Sequence, residues 1–120
     1  MREDIREYNA VENVARKFIE AVKSGKSEIM KPYFHEKAVI FGQYKDTVQA
    51  GPIQQLYDVV DENGACTEDY CARIDILALE PTVAVVKVVE DNWNGCNFLT
   101  ILKINGEWKV VAKAYDTLAE

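Results

Sequence analysis

Apolar residues Val11, Val14, Ala15, Phe18, Ile19 and Val22 recur three and four positions apart, after Asn9-x-x-Glu12 has offered a variant capping box and before Gly25 ends the run. This spacing predicts an amphipathic first helix. Ser27 caps a short second helix through Ile29, Met30 and Tyr33, which Pro32 kinks or ends. Residues Ala38 to Gly42 and Thr47 to Ala50 read as two short strands around a Lys45-Asp46 turn. Gly51-Pro52 then opens a third helix, with Ile53, Leu56, Tyr57 and Val60 on one face and Asn63-Gly64 at its close.

From Tyr70 the texture changes to β-branched and aromatic runs: Tyr70 to Leu79, Val83 to Asp91, Phe98 to Ile104 and Trp108 to Tyr115. Turn signals at Glu80-Pro81, at Asn92 to Gly95 and at Asn105-Gly106 join them as an antiparallel meander. The predicted fold is α+β: three N-terminal helices packed on a curved antiparallel sheet of four long strands plus a short hairpin, in one domain spanning the 120 residues.

Period-2 geometry gives these strands two apolar faces. Turning the lysines outward puts Ala84, Val86, Val88 and Glu90, then Phe98, Thr100, Leu102 and Ile104, then Trp108, Val110, Ala112 and Ala114 toward the helices. It leaves Val83, Val85, Val89, Leu99, Ile101, Val111 and Tyr115 on the opposite, convex face, which the helices cannot also cover. A homodimer packed through that face is the expectation.

Composition narrows the function classes. Fourteen Lys plus Arg against twenty Asp plus Glu give a net charge of −6, so no basic footprint for nucleic acid or an anionic membrane exists. No signal-peptide core and no run of about 18 apolar residues is present, so a cytoplasmic location is expected. Cys66, Cys71 and Cys96 cannot all pair within one chain, and a Cys66–Cys71 bridge requires a sharp turn, so reduced thiols are expected. No metal-ligand cluster, phosphate loop or other cofactor motif is visible, and no cofactor is expected.

Four segments carry a resemblance: Ala10-Val11-Glu12 through Ser24-Gly25, Phe34-His35-Glu36-Lys37-Ala38, Thr82 through Val88, and Leu102 through Val111. In this order and spacing they resemble the putative lumazine-binding branch of the nuclear transport factor 2-like superfamily. The resemblance covers the chain nearly end to end. It implies a cystatin-like cone whose sheet wraps the first helix and leaves a cavity, commonly in a dimer. The superfamily also holds ketosteroid isomerases, dehydratases and epoxide hydrolases. The isomerase pattern puts Phe18 where an oxyanion-stabilising tyrosine stands and Gly42 where a general-base aspartate stands, so that proton transfer has neither group here. Asn97 and Ala112 likewise replace an aspartate and an asparagine frequent in the nearer family.

The cavity lining expected from these assignments is Phe18, Tyr33, Tyr57, Glu90, Asn92, Phe98, Thr100, Trp108, Ala112 and Ala114, with the two alanines leaving volume. Glu90 and His35 are the catalytic candidates: a carboxyl among apolar neighbours can serve as acid or base, and His35 is the only imidazole. A solvated strand end competes for Glu90, and a hydrogen bond fixing the helix-to-strand joint competes for His35. Trp93 marks a pocket rim or a partner contact. The leading expectation is a small-molecule binding protein, with an isomerase, dehydratase or hydrolase kind of enzyme and a protein-interaction module as alternatives. The last would be marked by a cavity already filled with side chains.

Overall fold

A computed structural model describes residues 2–117. Helix α1 (Arg2–Ser24) buries Val11, Val14, Ala15, Phe18 and Ala21 against the sheet. It begins several residues before the predicted cap because its polar first turns find a tertiary partner. Glu7 accepts hydrogen bonds from Lys103 Nζ at 2.8 Å and Trp108 Nε1 at 2.6 Å. The second helix is two 3-10 turns, Ser27–Ile29 and Lys31–Tyr33, with Pro32 in the first turn of the second, where a proline is tolerated. Strands β1 (Phe34–Tyr44) and β2 (Thr47–Pro52) form the hairpin, and α2 (Gln54–Asn63) follows. Strands β3 (Ala72–Leu79), β4 (Val83–Glu90), β5 (Gly95–Ile104) and β6 (Glu107–Thr117) make the meander.

All six strands join one sheet in the order β2-β1-β6-β5-β4-β3. The four long strands pair antiparallel as expected, and the hairpin joins them through a parallel seam of β1 with β6, because α2 and β3–β5 lie between them in the chain and bring β6 back beside β1. Along that seam Phe34 faces Val110 but Val39 faces Ala112, so β1 carries extra residues from His35 to Ala38.

Two strands present faces opposite to those expected. In β5 the inward set is Asn97, Leu99 and Ile101, all buried, while Phe98, Thr100 and Leu102 point to the outer face. Both sets are mainly apolar, and Val86 opposite Leu99 with Ala84 opposite Ile101 fixes the choice. In β6 the ladder pairs Ile101 with Val110 but Thr100 with Ala112, leaving Val111 as a bulge. Beyond that extra residue the alternation inverts. Trp108 and Val110 point inward, then Lys113 and Tyr115 do, and Ala112 and Ala114 turn to the outer face. Leu99, Ile101 and Tyr115 therefore leave the convex patch. Val83, Val85, Val89 and Val111 remain half-buried there, joined by Phe98 and the exposed Phe41. Among the described residues no helix is long and apolar enough to cross a membrane.

Candidate functional site

A pocket of about 410 Å³ opens between the C-terminal half of α1, one face of α2 and the inner face of the sheet. Phe18 and Val22 of α1, Leu56 and Val60 of α2, and Ile40 of β1 supply its apolar wall. The volume and texture suit a small organic ligand. Its polar side comes from strand ends: Glu90 closes β4, Asn97 stands inward on β5, and Lys113 and Tyr115 follow the β6 bulge. Gln49, Gln55 and Asn63 face them from β2 and α2, with Asn92 and Trp93 at the β4–β5 turn.

Two polar arrays organise this side. Asn97 Nδ2 donates to Glu90 Oε1 at 3.2 Å, and both residues are buried. Tyr115 donates its phenol proton to Gln49 Oε1, and Gln49 Nε2 donates to Gln55 Oε1 at 2.9 Å. That chain ties β6 to β2 and α2. Tyr70 lies behind Glu90; burial first, then the Glu90 charge, hold its phenol well above the usual range. Its buried hydroxyl is turned toward the Glu90 carboxylate without a well-formed hydrogen bond to it.

Lys113 is 6% exposed. Its ammonium sits 4.8 Å from the ring centre of Tyr115 and 5.7 Å from that of Phe18. Burial pushes the amine down to about 8, against the opposing pull of Glu90. An amine there is part neutral and part charged at physiological pH, which an exposed lysine is not.

Of the expected lining, the structure brings Phe18, Glu90 and Asn92 into this pocket. Tyr57 and His35 line a different groove, at the other end of the β5–β6 hairpin, along with Lys109 and Asn105. Tyr57 packs edge-on to Phe34 at 6.0 Å, and His35 Nδ1 accepts the Lys37 backbone N–H at 3.0 Å inside the β1 irregularity. Tyr33 packs on the core, and Trp108 closes it through Glu7. Phe98, Thr100, Ala112 and Ala114 do not reach the cavity, because the β5 register and the Val111 bulge place them outside. Sequence reasoning missed Lys113, Tyr115, Gln49 and Gln55. The signal for the first two was Val110-Val111, a pair of β-branched residues where strict alternation asks for one.

Comparison with known proteins gives the same fold with more than one kind of name. A solved NTF2-like protein of unknown function from Shewanella baltica OS155 is similar at 32% identity, with 97% of each chain covered and a TM-score of 0.83. One from Methylobacillus flagellatus KT is similar at 28% identity over 96% of this chain and 94% of that one, with a TM-score of 0.86. A protein called aldolase FrzH, from Cladobotryum sp, is 34% identical over 115 residues, 92% of this chain and 91% of its own length. The family described as "Putative lumazine-binding" matches residues 6–116, and the chain belongs to it.

Proposed function

We propose that this chain is an enzyme that binds a small carbonyl compound in the pocket and makes or breaks a carbon–carbon bond beside the carbonyl. The observation that carries the reading is that Glu90 and Lys113, two buried ionisable side chains, line one pocket beside an apolar wall without bonding to each other. Buried groups of this kind move protons at carbon acids, since a carboxylate can take the proton while the nitrogen group beside it stabilises the charge left behind. Kinship to a protein named an aldolase supports the reaction class. The test is deuterium exchange: cyclohexanone in heavy water should lose its α-protons faster with the protein than with buffer, and Glu90→Gln should abolish the difference. Equal rates would sink the enzymatic reading.

A binding protein that does no chemistry is the second reading, favoured by the predominance of Phe18, Val22, Ile40, Leu56 and Val60 in the wall. Retention of an apolar ligand with no exchange would select it. The pocket is open, whereas an interaction module was expected to have it filled by side chains. The assembly that accompanies the function in this proposal is a homodimer through the outer sheet face. Support comes from its apolar side chains Val83, Val85, Val89, Phe98 and Val111, which no helix among the described residues covers.

A further inference from the structure

We propose that Lys113 is an amine nucleophile that condenses with a neutral, apolar-bodied aldehyde or ketone to form an imine inside the pocket; the inference rests on the enzymatic reading above and sharpens its substrate class. Lys113 makes no hydrogen bond and no ion pair among the described residues, and its partners are the faces of two aromatic rings. A buried lysine kept for structure is expected to be paired, because an unpaired buried charge is costly. Here the amine instead lines an open cavity large enough for a ligand. The drop to about 8 that burial produces leaves a usable fraction of free amine near neutrality.

The groups that face this amine are few. Among the described residues that line the pocket with it, Glu90 from β4 is the only charged one, Tyr115 the only other titratable one, and Phe18 from α1 and Asn97 from β5 are neutral. Among the described residues no second cationic side chain lines the pocket to neutralise a phosphate or a carboxylate on the substrate. The apolar wall of Phe18, Val22, Ile40, Leu56 and Val60 selects a hydrocarbon or aromatic body instead.

The step balances without a redox partner. The Lys113 lone pair attacks the carbonyl carbon, a C–N bond forms, and the π electrons move to oxygen. That oxygen takes one proton from the Lys113 nitrogen and one from solvent and leaves as water, and a protonated imine remains. Glu90 carboxylate then removes an α-proton, giving an enamine whose carbon attacks a second carbonyl, and the oxygen of that carbonyl takes the proton back from Glu90 as the imine re-forms. Water returns the amine by hydrolysis.

The test uses naphthaldehyde and sodium cyanoborohydride, a hydride donor that fixes an imine as a secondary amine, on the intact wild-type protein at pH 7. Peptide mapping should place the adduct on Lys113, at a rate roughly tenfold or more above the mean surface lysine, given its larger neutral fraction. Glyceraldehyde phosphate should show no such preference. Label spread over surface lysines with Lys113 untouched would overturn the inference, and since the wild-type map carries the result, a misfolded variant leaves nothing open. Deuterium exchange without labelling of Lys113 sinks the imine and spares the enzyme. Labelling without exchange spares the imine and sinks the enzyme.

Discussion

The ring of Tyr115 lies over Gly42 so closely that a Cβ on Gly42 would stand 2.2 Å from its Cε1. Parallel pairing of β1 with β6 puts the two residues in register, and the missing side chain is what lets the phenol settle and reach Gln49. Gly42→Ala should therefore keep the fold, since Gly42 has no positive φ, but push the ring off its seat. The loss of one hydrogen bond predicts binding weaker by about 1 kcal/mol, roughly fivefold in Kd, for a pocket probe such as naphthaldehyde. Fluorescence titration of the two proteins checks it.

Lys113 should cost the protein stability near neutral pH. Its folded value of about 8 lies below the ordinary 10.5, so between these values the unfolded chain binds more protons than the folded one. Stability then rises with pH through that window, and the charged side chain costs about 3 kcal/mol below it. Lys113→Met removes the burden. The variant should be the more stable at pH 7 in urea unfolding, and the gap should close toward pH 10. Taking the difference between the two proteins cancels the opposite slope from Tyr57, which burial raises to about 12. A gap independent of pH would contradict the desolvated amine.

Ser27 and Asp61 join the first 3-10 turn to α2. The Ser27 backbone N–H donates to Asp61 Oδ1 and its hydroxyl to Oδ2, each at 2.8 Å, and Ser27 is buried. These bonds, the backbone one first, hold the Asp61 carboxyl below its usual value. A lowered carboxylate adds stability above its unfolded pKa and loses it as pH falls through the folded one. Ser27→Ala should cost about 1 kcal/mol at neutral pH, visible as a fall of about 4 °C in Tm, and should lessen the loss of stability in acid.

How much of this was legible in the sequence follows from what local pattern encodes. The α1 stripe is one-sided enough to assign its face, and in β4, apolar on both faces, the outward Lys87 is enough to turn Ala84, Val86, Val88 and Glu90 inward as predicted. Strand β5 offers two apolar faces, so its orientation depends on neighbours that only tertiary pairing supplies. The Val111 bulge is a one-residue event with the largest consequence: it exchanges Ala112 and Ala114 for Lys113 and Tyr115 at the pocket. A lysine is ordinarily assigned to solvent, and the rule fails here because the bulge is non-local. His35 was visible as an imidazole, but its bond to Lys37 within β1 is a matter of backbone path.

The outer sheet face yields the last prediction. Val83, Val85 and Val89 on β4 stand beside Phe98 on β5, and the Lys87 ammonium lies 5.9 Å from the Phe98 ring centre. Phe41 on β1 is 49% exposed at the same face. An apolar sheet surface of this kind gains by pairing with itself around a two-fold axis, because the same patch meets its own copy. Sedimentation at micromolar concentration should give twice the 13.6 kDa chain mass. Val85→Lys places a charge amid the patch and should return the chain mass while leaving the circular dichroism and the naphthaldehyde labelling of Lys113 unchanged, since Val85 and Lys113 lie on opposite faces of the sheet. A wild-type protein that sediments as a single chain would remove the dimer and leave the pocket chemistry standing.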